Sequence, residues 1–265
     1  MKQRSNGAEL LEAFAARQAT ALRVAVVVAH PDDETIGIGA SLSLLRQLTL
    51  VHVTDGAPRT LHDARGAGFA TVAEYAAARR AELHAALAVG GADATLIELG
   101  IPDQGATAAM ASVAGELAAL FAARQIEVAV THPYEGGHPD HDATAWAVHA
   151  AAHSGPALIE MLSYHADAGG GIETDRFLPG PEPVQVALSP AEQAVKRRML
   201  DCFATQAAVL AAFGTEREAF RTAPTYDFTT PPHSGSIYYD HFDWGMTGAA
   251  WRAAATALRS SRCAV

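Results

Sequence analysis

Apolar and polar positions along the chain follow two alternating rhythms. Val24 to Ala29 is an unbroken apolar run that stops at His30 and Pro31, the pattern of a strand buried on both faces of a parallel sheet. Glu34 to Gln47 takes the small and apolar spacing of a helix, and Leu48 to Val53 returns to strand. Thr71 to Val89 is again helical, with Tyr75, Leu83 and Leu87 on one side. Strands at Ala94 to Leu99, Glu127 to Thr131 and Ala157 to Tyr164, with helices near Thr107 to Arg124 and Asp142 to His153, continue the alternation. It predicts an α/β fold: a three-layer, Rossmann-like, mostly parallel sheet with helices on both faces and right-handed crossovers.

Gly169 to Pro183 interrupts this rhythm with glycine and proline, and is followed by a short strand, Val184 to Leu188, and a helix from Pro190 to near Phe213. Pro224 to Trp251 is dense in aromatics and prolines and reads as a loop-rich arm packed on the domain. For 265 residues the pattern predicts a single domain, with a core over about 22–165 and a C-terminal extension, 166–265, packed on it. Met1 to Leu22 reads as a short amphipathic helix without the apolar core of a signal peptide.

The formal net charge of -10, with positive charge carried almost wholly by scattered arginines, argues against a nucleic-acid partner. Apolar runs such as Val24 to Ala29 and Ala207 to Phe213 fall short of the roughly 20 residues that span a bilayer, so the expectation is a cytoplasmic protein without membrane insertion. Homo-oligomerisation is compatible with the sequence. Cys202 and Cys263 supply neither a disulfide framework nor a thiolate metal site, which leaves histidine and carboxylate as ligands. Arginine and alanine richness with only Lys2 and Lys196 as lysines is associated with high-GC bacterial genomes.

Two segments concentrate ionisable groups where predicted parallel strands end, the ligand-binding edge of an open α/β sheet. Ala29-His30-Pro31-Asp32-Asp33-Glu34 would alone serve equally well as the acidic first turn of a helix. His138-Pro139-Asp140-His141-Asp142 holds more such groups than one helix start needs. Together they offer His30, Asp33 and His141, three ligands suited to Zn²⁺ with a fourth position left for water. A His₂Asp set accepts Fe²⁺ or Co²⁺ as well.

The paired segments, AHPDDE and HPDHDA, resemble the two signatures of the LmbE/PIG-L family of zinc-dependent N-acetylglucosaminyl deacetylases, over roughly the first 165 residues. The resemblance implies zinc on His30, Asp33 and His141, with Asp32 as general base. It implies that His138, oriented and kept protonated by Asp140, stabilises the oxyanion or protonates the leaving amine. The substrate would be a small N-acetylated, sugar-containing molecule. Asp103 and Arg80, in the Arg79-Arg80 pair, stand where the family contacts sugar, although a turn residue and a surface ion pair explain them as well. Where family members carry a tyrosine two residues before the counterpart of His138, this chain has Gly136, and Tyr134 is out of register. His132 and His165 follow strands and would border the pocket, whereas His52, His84, His149 and His153 fall inside regular elements and read as structural.

Two readings compete. A zinc amidase acting on a larger N-acyl or thiol conjugate would share the site and differ in the pocket. A non-catalytic nucleotide-binding module is disfavoured, because the first strand-helix turn lacks the glycine fingerprints and puts carboxylates where phosphate needs amides. A metal-binding protein without activity would have no need of Asp32 and His138. The ligand spacing predicts about one divalent ion per chain. Elemental analysis should find it in the purified protein and not in His30→Ala or His141→Ala. Full retention in folded His141→Ala would remove the second segment from the ligand set.

Overall fold

Alternation in the first strand sets the architecture. Val24, Val26 and Val28 pack into one hydrophobic core while Ala25 and Val27 pack into another, and all five are fully buried. The computed structural model describes residues 2–153 and 155–262. In chain order the elements are α1 (Lys2–Ala15), β1 (Thr20–Val28), α2 (Asp33–Ile38), β2 (Leu45–Pro58), α3 (Leu61–Gly66), α4 (Val72–Gly90), β3 (Ala94–Asp103), α5 (Ala106–Ala123), β4 (Val128–Thr131) and α6 (Pro139–Ala151). Then follow β5 (Ala157–Met161), β6 (His165–Ala166), β7 (Ile172–Glu173), β8 (Val184–Ala187), α7 (Pro190–Leu200), α8 (Ala207–Leu210), β9 (Arg217–Thr222) and α9 (Gly248–Arg262).

Seven strands form one sheet in the order β3-β2-β1-β4-β5-β9-β8, and β6 and β7 make a separate two-stranded ribbon. The five strands from β3 to β5 are mutually parallel; β9 pairs antiparallel with both β5 and β8. One core joins the sheet to Leu10 and Phe14 of α1, Leu83 and Leu87 of α4 and Met199 of α7. The other joins it to Leu117 and Phe121 of α5, Trp146 of α6 and Trp251 of α9. The three-layer α/β architecture expected from the sequence is therefore present.

Boundaries differ from expectation in informative places. The helix expected over Glu34 to Gln47 stops at Ile38, passes through a 3₁₀ turn at Gly39–Leu44, and yields Leu45 onward to β2. Gly37 lies where an added Cβ would sit 2.5 Å from Met161 Sδ, so α2 packs on β5 more closely than a residue with a side chain would allow. α6 begins at Pro139, not near Asp142, which puts the second charged segment in its first turn. The helix from Pro190 ends at Leu200, with a 3₁₀ turn, Ala204–Gln206, and the short α8 beyond it. The C-terminal part also supplies β8 and β9 to the main sheet, besides an arm and a helix packed on it. α5 is a single 18-residue helix apolar enough by composition to cross a membrane, and here Met110, Val113, Leu117 and Phe121 bury its inner face in the core. Cys263 lies outside the described residues.

β9 escaped sequence reading because Arg-Glu-Ala-Phe-Arg-Thr looks solvent-facing, yet Glu218 and Arg221 are both 2% exposed. Each is buried with partners. Glu218 Oε1 lies 3.0 Å from Lys196 Nζ and 2.8 Å from the Ala40 amide nitrogen, and its Oε2 accepts from Ser41 Oγ at 2.6 Å. Lys196 Nζ also donates to Ile36 O at 2.8 Å, tying α7 and β9 to the end of α2. Removing one member of such a buried pair leaves the other desolvated and unpaired, so Glu218→Ala should cost about 3–5 kcal/mol in chemical denaturation. A loss below about 1 kcal/mol, the range of an exposed pair, would refute this anchoring.

Candidate metal centre and catalytic site

β1 has β2 on one side and β4 on the other, so the chain leaves their C-terminal ends in opposite directions and opens a crevice. The loop after β1 brings His30, Asp32 and Asp33 to it, the end of β3 brings Asp103, and the loop and first turn after β4 bring His138 and His141. All six line one cavity of about 840 Å³.

Asp33 is the hub. Its Oδ2 accepts the His30 backbone N–H at 2.7 Å and lies 3.3 Å from His30 Nδ1; its Oδ1 lies 3.1 Å from His141 Nε2. The far nitrogens of both rings have partners: His30 Nε2 is 3.2 Å from Asp103 Oδ1, and His141 Nδ1 is 3.3 Å from Ser163 Oγ. With protons on those far nitrogens, the His30 Nδ1 and His141 Nε2 lone pairs converge with the Asp33 carboxylate, the arrangement by which proteins orient imidazole ligands toward a metal. The donor set therefore fits a divalent ion.

Burial holds the His141 ring down to about 4, with Asp33 beside it opposing. Burial opposes charge on His30, but Asp103, Asp140 and Asp33 outweigh it and raise its pKa well above the ordinary value, so metal binding there must displace a proton. Burial likewise disfavours the Asp33 anion, yet His141 and His132 hold its carboxyl well below the usual range.

A second group, His30, His138 and Asp140 with the half-buried Asp103, also brings ligand atoms within metal-binding distance of one another. Its chemistry fits less well. Both Asp140 oxygens accept backbone N–H groups, from Gln104 at 2.6 Å and Ala106 at 3.0 Å, and His138 Nδ1 accepts the Asp140 N–H at 3.1 Å. An imidazole that accepts at Nδ1 carries its neutral-state proton on Nε2, which makes that nitrogen a donor and not a ligand.

The same contacts correct the expectation for Asp140. Because α6 starts at Pro139, His138 is its N-cap and turns its ring onto the helix's own first turn. The Asp140 carboxylate turns to the β3–α5 connection and to His30 Nε2, 3.4 Å away, and makes no hydrogen bond to the His138 ring. His138 is not held protonated: burial, with the charge of His30, pushes it down to about 3. It presents a neutral Nε2–H.

Asp32 has φ 135° and ψ −29°, a backbone region that costs a residue with a side chain of order 1–3 kcal/mol. Two neighbours hold it there. Its N–H donates to Glu34 Oε2 at 3.1 Å, which also faces His52 Nε2 at 2.9 Å. Arg79 donates to Pro31 O at 2.7 Å, to Asp32 Oδ2 at 2.9 Å and to Gly56 O at 3.0 Å. Burial pushes the Asp32 carboxyl up to about 8, with Arg79 opposing and Asp33 adding to the rise.

Arg80 does not reach the site. Successive helix residues point about 100° apart, so Arg79 faces the cavity at 3% exposure while Arg80, with its side chain 60% exposed, pairs with Glu98 at 2.6 Å on the surface. Arg79 is thus the cavity arginine of the pair. Asp103 does line the cavity, bound to His30. His132 and His165 do not: His132 lies flat on His141, ring centroids 3.9 Å apart, and His165 bonds Ala166 O and Arg176 O.

Gly136 sits at φ 73°, where an added Cβ would lie 2.7 Å from Ile237 Cγ2, so no larger residue fits without strain. Tyr134 turns away and donates to Thr230 O at 2.8 Å. The C-terminal arm instead clamps this loop: the Tyr238 N–H donates to Gly136 O at 2.9 Å, and Tyr239 Oη to Asp142 Oδ2 at 3.1 Å. Asp142 Oδ1 completes the clamp by accepting the Gly136 N–H at 3.1 Å. Trp244 and Tyr164 also line the cavity, and nothing in the local sequence around either residue marks it as such.

Residues 25–152 match the family model PIG-L, described as GlcNAc-PI de-N-acetylase. No curated protein matches the sequence. Among solved structures, the A40926 pseudoaglycone deacetylase Dbv21 superposes with a TM-score of 0.59 at 19% identity, covering 78% of this chain and 100% of its own. A zinc-inhibited form of the teicoplanin deacetylase Orf2 gives 0.56 at 15% identity, covering 77% and 100%. GalB, the 4-carboxy-2-hydroxymuconate hydratase of Pseudomonas putida KT2440, gives 0.53 at 16% identity, covering 77% and 98%. At such identities the likeness is one of fold.

Adjacent aspartates with different surroundings should separate in metal assays. Asp33→Asn should release the metal, because it removes the shared anionic ligand. Asp32→Asn should keep it while kcat falls roughly 10²- to 10⁴-fold, the usual contribution of a positioned base. Loss of metal from Asp32→Asn, with metal and activity kept in Asp33→Asn, would mean the two roles are reversed.

Proposed function

Because residues 25–152 form a PIG-L family domain, we propose that this protein is a metal-dependent N-deacetylase that releases acetate from an N-acetylated amino sugar or its conjugate, with Zn²⁺ as the metal. One observation carries the reading: His30, Asp33 and His141 converge on one side of a cavity that also exposes the carboxyl of Asp32 and the Nε2–H of His138. A divalent ion on the three ligands would polarise the amide carbonyl and acidify a water molecule.

The chain's own groups then divide the proton work. Asp32, its carboxylate steadied by Arg79 and brought down from its raised pKa by a cation held on neighbouring Asp33, would take a proton from the attacking water and is placed to return one to the departing nitrogen. His138 donates its Nε2–H to the carbonyl oxygen as negative charge develops there, and as a neutral donor it needs no proton from solvent. Water and amide thus become acetic acid and amine, and the acid's remaining proton passes to the amine, so acetate and an ammonium group leave.

The amino-sugar assignment is supported by the matched family's description and by a cavity larger than an acetamide needs. The fold alone does not supply it, since a hydratase shares the architecture. An amidase for larger acyl groups would use the same residues and differ in acyl preference. Chelation should abolish acetate release from N-acetylglucosamine-type conjugates, and stoichiometric zinc, iron or cobalt should restore it. Turnover of an unrelated amide with none of the sugar substrates would overturn the sugar assignment and leave the hydrolase reading standing.

A further inference from the structure

The aromatic arm contains two rings that the clamp on the β4 loop does not use. Phe242 and Trp244 lie almost parallel, with centroids 4.5 Å and planes 10° apart. Phe242 backs one face of the indole and is itself 40% exposed. Trp244 leans toward the His138 ring, 4.7 Å between centroids at 42°, and both rings line the cavity. Indole and imidazole planes, tilted to each other, thus form a wedge on the wall of this cavity. Trp146 and Trp251, by contrast, are 8% and 0% exposed and serve the core.

We propose that Trp244, backed by Phe242, is the platform on which the pyranose ring bearing the acetamido group stacks. The proposal rests on the amino-sugar reading above. Geometry selects the pyranose over a more distant appendage, because only the ring directly attached to the acetamide must lie beside His138 while its carbonyl meets the Nε2–H. A pyranose offers apolar C–H faces to an indole and directs its hydroxyls outward in the ring plane, and Asp103 and Gln104 are polar partners on the same cavity wall. Trp244 therefore discriminates for cyclic over acyclic N-acetyl substrates.

Steady-state kinetics on a pyranosyl acetamide and on an acyclic N-acetyl amide test this. Trp244→Ala should raise KM for the pyranosyl substrate about tenfold, change kcat by less than about threefold, and leave the acyclic substrate unaffected. Trp244→Phe should keep most of the affinity. Glucosamine, titrated into the metal-loaded enzyme, should alter indole emission in the wild type and not in Trp244→Phe, and this measurement together with the Phe variant decides the matter if the Ala variant does not fold. Equal KM changes on both substrates, or pyranosyl turnover indifferent to Trp244, would overturn the stacking and spare the sugar reading. Turnover of the acyclic amide alone would overturn both.

Discussion

A single carboxylate, that of Asp33, holds the two halves of the site together. It stands at the first residue of α2, ties the preceding loop through the His30 N–H, and reaches across the crevice to His141 at the start of α6. A buried anion with fewer partners would be expelled or protonated. Here imidazoles on several sides keep it charged, and in return it fixes their spacing. The placement of His30, the stacking of His132 under His141 and the convergence of two lone pairs all follow from that one desolvated charge. A divalent ion would complete the balance, replacing the proton that His30 otherwise carries.

Around this centre the protein spends backbone regularity where chemistry needs it. Asp32 is held in a conformation its side chain disfavours, by Glu34 from within the same turn and by Arg79 from α4. His138 is used as a helix cap, and that ordinary structural duty fixes its tautomer. A donor aimed by its own backbone costs no reorganisation when charge develops on a substrate. The same two residues thus serve local folding and the proposed reaction.

Much of this was legible in the sequence because the strand-and-helix rhythm is strong and the charged segments sit at strand ends. The parallel β-α order, the cavity edge and the placement of His30, Asp33, His138 and His141 on one cavity follow from those signals. Other features depend on contacts between distant residues. Arg79 and Arg80 are adjacent and chemically alike, and only the rotation of α4 decides which one faces Asp32. Asp140 looked like the partner of its near neighbour His138, but the start of α6 directs its carboxylate to Gln104 and Ala106. The apolar rhythm assigns no element to β9, because its charges are buried only through pairing with Lys196, Glu135 and Glu160. Gly136 is a departure from the family pattern that becomes intelligible once Ile237 is found packed on it.

The clamp from the arm onto the β4 loop has a consequence for the order of events during synthesis. Asp33 and His141 are translated before the groups that tie down their surroundings: Tyr238 and Tyr239 hold the loop that presents His141, and Glu218 holds the 3₁₀ turn after α2. Contacts of such long sequence separation form late, after the loops between them have closed. Until those contacts form, the clamp does not fix the spacing of Asp33 and His141 on a growing chain. Any metal held by His30, Asp33 and His141 would accordingly be taken up by the folded chain and not by the nascent one.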